Sequence, residues 1–155
     1  MAAEYSSNDL QLVASNQSII FNESPVPCRR GFVYHRDGSG IFRVAGMNQC
    51  GCFIPTCCCQ TPPEAQYEVA VSGNIAVPTG GTAEAIQISV AIDGEIDPSS
   101  TMIFTPAAVE EFGNVSATVI VTVPYLCRCS SVSVRNTSAQ AINAQNFNII
   151  FTRVR

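Results

Sequence analysis

The chain has 155 residues, a formal net charge of −4 and only 13% charged residues, with eight cationic side chains that are all arginine. A chain this acidic, with one adjacent cation pair at Arg29-Arg30, lacks the cation clusters that phosphate neutralisation needs, so nucleic acid is excluded as a partner. No stretch reaches the ~20 apolar residues of a bilayer span, and the length makes one domain the expectation, with 46% hydrophobic residues to fill its core.

Residues 1–30 are polar and without period, apart from the apolar knot Ile19-Ile20-Phe21 and the SPVP turn at Ser24–Pro27. They are expected to form an extended N-terminal arm that lies along a neighbour and serves attachment. The opening MAAEYSSNDLQLVASNQSIIF has no basic n-region and no compact apolar h-region, which predicts synthesis in a cytoplasm. Residues 31–46 predict a hairpin, GFVYH and IFRVAG around the turn RDGSG. A loop rich in Cys and Pro follows at 47–66.

From Tyr67 the pattern has period two. Tyr67, Val69, Val71, Ile75 and Val77 point one way, and PTGG (Pro78–Gly81) makes a turn. Ile86, Ile88, Val90 and Ile92 form a second row, which reverses at Asp93-Gly94. A short strand at Met102–Thr105 stops at Pro106, and Ala107–Phe112 predicts one helical turn. Val115 to Val123 give a third row, and Val132 with Val134 a fourth. In the last strand Phe147, Ile149 and Phe151 share one face and Ile150 and Val154 the other. Such a two-faced strand belongs at a sheet centre or against another subunit, so Phe147, Ile149, Ile150 and Phe151 are candidate interface residues. Many short strands separated by turns predict an all-β antiparallel sandwich over residues 31–155. Charge at 13% is well below the roughly 25–35% of designed soluble surfaces, which predicts that part of the surface is hidden in an oligomer.

The eight cysteines are Cys28, Cys50, Cys52, Cys57, Cys58, Cys59, Cys127 and Cys129. A thiolate metal site from Cys50, Cys52, Cys57, Cys59, Cys127 and Cys129 ranks low. Zinc knuckles leave two to four residues between ligands, whereas Cys50/Cys52 and Cys127/Cys129 leave one. Disulfides rank higher, with all eight as candidates and no pairing assigned. A bond from the Cys50–Cys59 loop to Cys127 or Cys129 would close roughly 70 residues, worth about 3–5 kcal/mol. Buried free thiols are the third reading.

His35, the sole histidine, sits in a predicted strand and reads as structural, not as half of a Cys–His dyad. The carboxylates Asp93, Glu95, Asp97 and Glu110-Glu111 fall in turns, where a calcium site or an acid pair for glycoside chemistry ranks below plain solvation. PTGG has neither the lysine nor the helix of a phosphate loop. No catalytic constellation emerges, and a non-enzymatic protein without cofactor is expected.

The stretches YEVAVSGNIAVP, SVSVRNTS and NFNIIFTRV resemble an early strand, the penultimate strand and the central last strand of the TNF/C1q-like jelly rolls. YHRDGSGIF, SGNIAVPTGGTAEAI, AIDGE, TMIFTPAAVEEF and FTRV are similar to small structural proteins of Firmicutes and their phages. This resemblance implies a homotrimeric jelly roll in a virion, as a capsid decoration or head-fibre protein held to a larger shell by its N-terminal arm. A receptor-binding tip for a host glycan or surface protein is the second class, for which Tyr125 and Phe53 are the candidate aromatics. A subunit of a bacterial spore or cell-surface layer is the third, although the Gly-X-Y repeat of collagen-stalked spore proteins is absent from this sequence.

Overall fold

Alternating Val, Ile and Phe put one side chain in two on the same face of an extended chain. In the computed structural model, which describes residues 2–28, 31–46, 64–124 and 129–154, that pattern becomes strands. They are β1 (Ala2–Ser7), β2 (Gln11–Val13), β3 (Glu23–Val26), β4 (Val33–His35), β5 (Phe42–Ala45), β6 (Ala65–Ala76), β7 (Ile86–Ile92), β8 (Glu95–Ile96), β9 (Met102–Phe104), β10 (Gly113–Val123), β11 (Cys129–Asn136) and β12 (Ile142–Arg153). A 3-10 turn at Pro98–Ser100 is the sole helical element among the described residues. No helix there is long and apolar enough to cross a membrane.

Two antiparallel sheets stack face to face. One runs β10-β6-β12-β1-β3, with β2 also on β12; the other runs β4-β5-β11-β7-β8, with β9 also on β7. The alternating rows meet between them: Tyr67, Val69, Ile75, Ile86, Ile88, Val90, Val121, Val132 and Val134 are all buried. The β7–β8 hairpin turns on Asp93 (φ 53°) and Gly94 (φ 83°), the two positive dihedrals of a turn whose twist suits paired strands.

An aromatic cluster closes one end of the core. Tyr5 lies 5.0 Å from Phe42 and 5.1 Å from His35, and Phe42 lies 5.0 Å from Phe151 and 5.3 Å from Phe21, between ring centroids. Beside it, Phe32 stacks on Tyr67 at 5.8 Å, and the Tyr67 hydroxyl donates to the Ala45 carbonyl. The Arg153 guanidinium lies over Tyr67 and donates to the Gly46 carbonyl at 2.9 Å. Burial raises both phenols, Tyr5 and Tyr67, above the ordinary 10.0; at Tyr5 the Cys28 side chain adds to the rise while a hydrogen bond with the Cys28 backbone opposes it, and Arg153 partly opposes it at Tyr67.

The detached arm expected at residues 1–30 is corrected by this sheet. β1 pairs with β12 from Ala2↔Thr152 to Ser7↔Phe147, and β2 continues along the same edge from Gln11↔Ala144 to Val13↔Ile142. β3 then adds outside β1. Ala3, Tyr5, Val13, Ile19 and Phe21 enter the core. The break at Asn8–Leu10 lies opposite a bulge in β12 between Gln145 and Asn148, where Asn146 takes φ 54°. That bulge resets the alternation of β12, so that Ala144 and Phe147 both face inward. The helical turn expected at Ala107–Phe112 is also absent. The segment is an irregular turn, fixed by Glu111 Oε2 accepting from the amides of Ala107 (2.9 Å) and Ala108 (3.2 Å).

Candidate functional site

Most residues with reactive chemistry are occupied in holding the fold. His35 ends β4, its ring stacked on Phe42 at 4.3 Å and its Nε2 2.9 Å from the Ser39 carbonyl oxygen. Asp93 accepts from the Ser131 amide at 2.9 Å, and Asp97 accepts from the amide (3.0 Å) and hydroxyl (2.6 Å) of Ser99. Glu110 accepts from the Thr79 hydroxyl. These carboxylates fix turns. No group of three or more His, Cys, Asp and Glu side chains that could hold a metal ion occurs among the described residues.

Of the cysteines, Cys28 is a free, half-buried thiol whose sulfur receives the Val33 amide at 3.4 Å. Cys129, the first residue of β11, is disulfide-bonded, and no bridge joins it to Cys28. Cys50, Cys52, Cys57, Cys58, Cys59 and Cys127 lie outside the described residues, as do Tyr125 and Phe53.

The expected interface is corrected in part. Phe147, Ile149 and Phe151 are at most 1% exposed, packed within their own chain, because β12 lies between β1 and β6 with one face toward the opposite sheet. They offer nothing to a neighbouring copy. Ile150 is the exception, half-buried on the outer face.

That outer face is mostly polar, with few charges. Strand register sets three rows across β1, β12, β6 and β10: Ser6–Asn148–Ser72–Ser116, Glu4–Ile150–Ala70–Thr118 and Ala2–Thr152–Glu68–Ile120. Glu4 and Glu68 are the sole charges in these rows, and Glu4 accepts from the Asn148 amide nitrogen. Ile120 is 52% exposed. Sequence reasoning passed over Ile120, although its place between outward Thr118 and Thr122 was there to find by counting alternation from Val119. It also passed over Tyr34 and Arg43, which sit opposite each other on the outer face of the β4–β5 hairpin.

No protein-family model and no curated protein matches the chain. Solved structures do. Eiger TNF from S. frugiperda superposes with a TM-score of 0.61 at 12% identity, over 98% of this chain and 91% of that one. Murine APRIL gives 0.61 at 9% identity, over 98% and 99%. The globular domain of zebrafish complement 1qA protein gives 0.56 at 10% identity, over 99% and 97%. The fold is a TNF/C1q-like jelly roll. At these identities the likeness lies in topology: the jelly roll places β12 in the middle of one sheet and leaves the outer face of that sheet open.

Proposed function

We propose that this jelly roll is a non-enzymatic structural subunit, which assembles as a homotrimer through the outer face of the β10-β6-β12-β1-β3 sheet and decorates a virion. The observation that carries this reading is the charge-poor face itself. Ile150 and Ile120 stand among Ala, Ser, Thr and Asn on four adjacent strands, with Glu4 and Glu68 the two charges of the three rows. Side chains this short let two surfaces approach closely, and their hydroxyls and amides supply the hydrogen bonds that a buried interface requires. A cyclic arrangement repeats the contact until it closes.

Attachment to the particle needs a surface other than a free arm, since residues 2–7, 11–13 and 23–26 are sheet strands. It falls to Leu10, Leu12 and Ile20, which are 56%, 67% and 46% exposed. The Gln11 side chain ties the two segments together through the amide (2.9 Å) and carbonyl (3.0 Å) of Ile20. Three copies of this patch per trimer raise avidity for the shell without a new kind of contact.

The test combines mass with particle composition. Ile120→Asp/Ile150→Asp is expected to give folded monomers by light scattering, and Leu10→Ser/Leu12→Ser is expected to leave the trimer intact but absent from purified particles. A trimer that survives the first pair refutes the interface, and particles that retain the second variant refute the attachment patch. A chain found only in spore coats or on a cell surface replaces the virion reading with the surface-layer one.

A further inference from the structure

We propose that a depression at the β4–β5 hairpin, on the sheet opposite the assembly face, binds an acidic saccharide through its carboxylate or phosphate group. The hairpin register sets Tyr34 directly across from Arg43, and both are exposed, as is Arg36 just past the end of β4. With His35, Ser39 and Ile41 they line a hollow of about 570 Å³, a size within the range of small-ligand clefts, about 300–1,000 Å³.

The two arginines stand out in this chain. Arg153 and Arg135 are engaged with backbone carbonyls, of Gly46 and Gly94. Arg36 and Arg43 form no ion pair among the described residues, although the chain has more carboxylates than cations and Asp37 is adjacent to Arg36 in sequence. Two uncompensated guanidiniums at one hollow are a fork for an oxyanion, which each can hold with paired N–H donors.

The rest of the lining favours a sugar as the carrier of that oxyanion. The Tyr34 ring, 38% exposed, and Ile41, 54% exposed, supply apolar walls beside the cations. An amphipathic ring of this kind suits the carbon face of a pyranose. Ser39 is fixed in the lining, its carbonyl oxygen against His35 and its hydroxyl accepting from the Ile41 amide at 3.1 Å. This site shares no residue with the assembly face, so either proposal can fail without the other.

The experiment is an amide chemical-shift titration of the full-length protein at low ionic strength with glucuronate, glucose 1-phosphate, glucose, inorganic phosphate and a short polyglutamate. Glucuronate, glucose 1-phosphate or both are expected to shift the amides of residues 34–43, with glucose silent; which of them binds tells carboxylate from phosphate. Arg36→Gln/Arg43→Gln is expected to weaken binding by about ten-fold or more, the loss of charge-assisted hydrogen bonds. Arg43→Lys is expected to weaken it too, because the charge stays but the fork is gone. Added salt is expected to weaken it as well. No shift with either acidic sugar, or shifts mapping elsewhere, overturns the site. Inorganic phosphate binding as tightly as glucose 1-phosphate, or polyglutamate binding more tightly than either sugar, overturns the saccharide.

Discussion

Gly73 on β6 lies against Phe147 so closely that a Cβ there would be 2.5 Å from the ring. The ring therefore rests on bare backbone, and this explains a glycine inside an eleven-rung pairing of β6 with β10. Gly73→Ala is expected to destabilise the protein by about 1–3 kcal/mol through overpacking. Denaturant unfolding checks this, and Gly73→Ala/Phe147→Leu should recover part of the loss, since the two residues share one space. The phenols give a pH dependence of definite sign. Tyr5 and Tyr67 have raised values in the folded state, so the unfolded chain releases their protons first as pH rises. Their stabilising effect is complete below the unfolded value of 10.0 and is lost as pH climbs through the folded values. Thermal melts at rising alkaline pH, with tyrosinate absorbance followed in parallel, should show stability falling from about pH 10, and less steeply in Tyr5→Phe.

At the level of strands, alternation after Tyr67 sufficed to place most of both sheets. The inward rows of β6, β7, β10 and β11 agree with the structure, as do the 31–46 hairpin and the Asp93-Gly94 reversal. The N-terminal strands escaped for a physical reason. Their partner is β12, at the far end of the chain, and a segment whose inward positions include Ala3 and Ser7 has little local preference for a strand. Long-range pairing made the strand, and no short window contains it. Deleting residues 1–26 therefore should not leave an intact domain. It strips the edge of β12 and opens the core at Tyr5 and Phe21, and circular dichroism is expected to show loss of a cooperative melt. A truncated chain that melts like the parent would mean that β1, β2 and β3 are an appendage after all. The last strand is half legible in the sequence. Its two-sided apolar pattern marked a sheet centre correctly, but the bulge at Asn146 and the packing of Phe147, Ile149 and Phe151 within one chain could not be read from a pattern that also fits a subunit contact.

The hydrophobic ribbons satisfy each other inside a single jelly roll, and what is left for a partner is a polar sheet face with Ile120 and Ile150 in it, charged at Glu4 and Glu68 in its three rows. The scarcity of charge in the sequence pointed to a hidden surface without saying where it was, because the outward positions of four strands far apart in sequence become one face only when the sheet forms. The hollow of Tyr34, Arg36 and Arg43 was out of reach for the same reason: two arginines seven residues apart in sequence look solvated until the hairpin sets them at one site. The decisive measurement is the native mass of the wild-type protein at micromolar concentration. A homotrimer gives three times the 16.5 kDa chain mass, falling to one chain mass in Ile120→Asp/Ile150→Asp; a wild-type protein that stays at 16.5 kDa refutes the assembly.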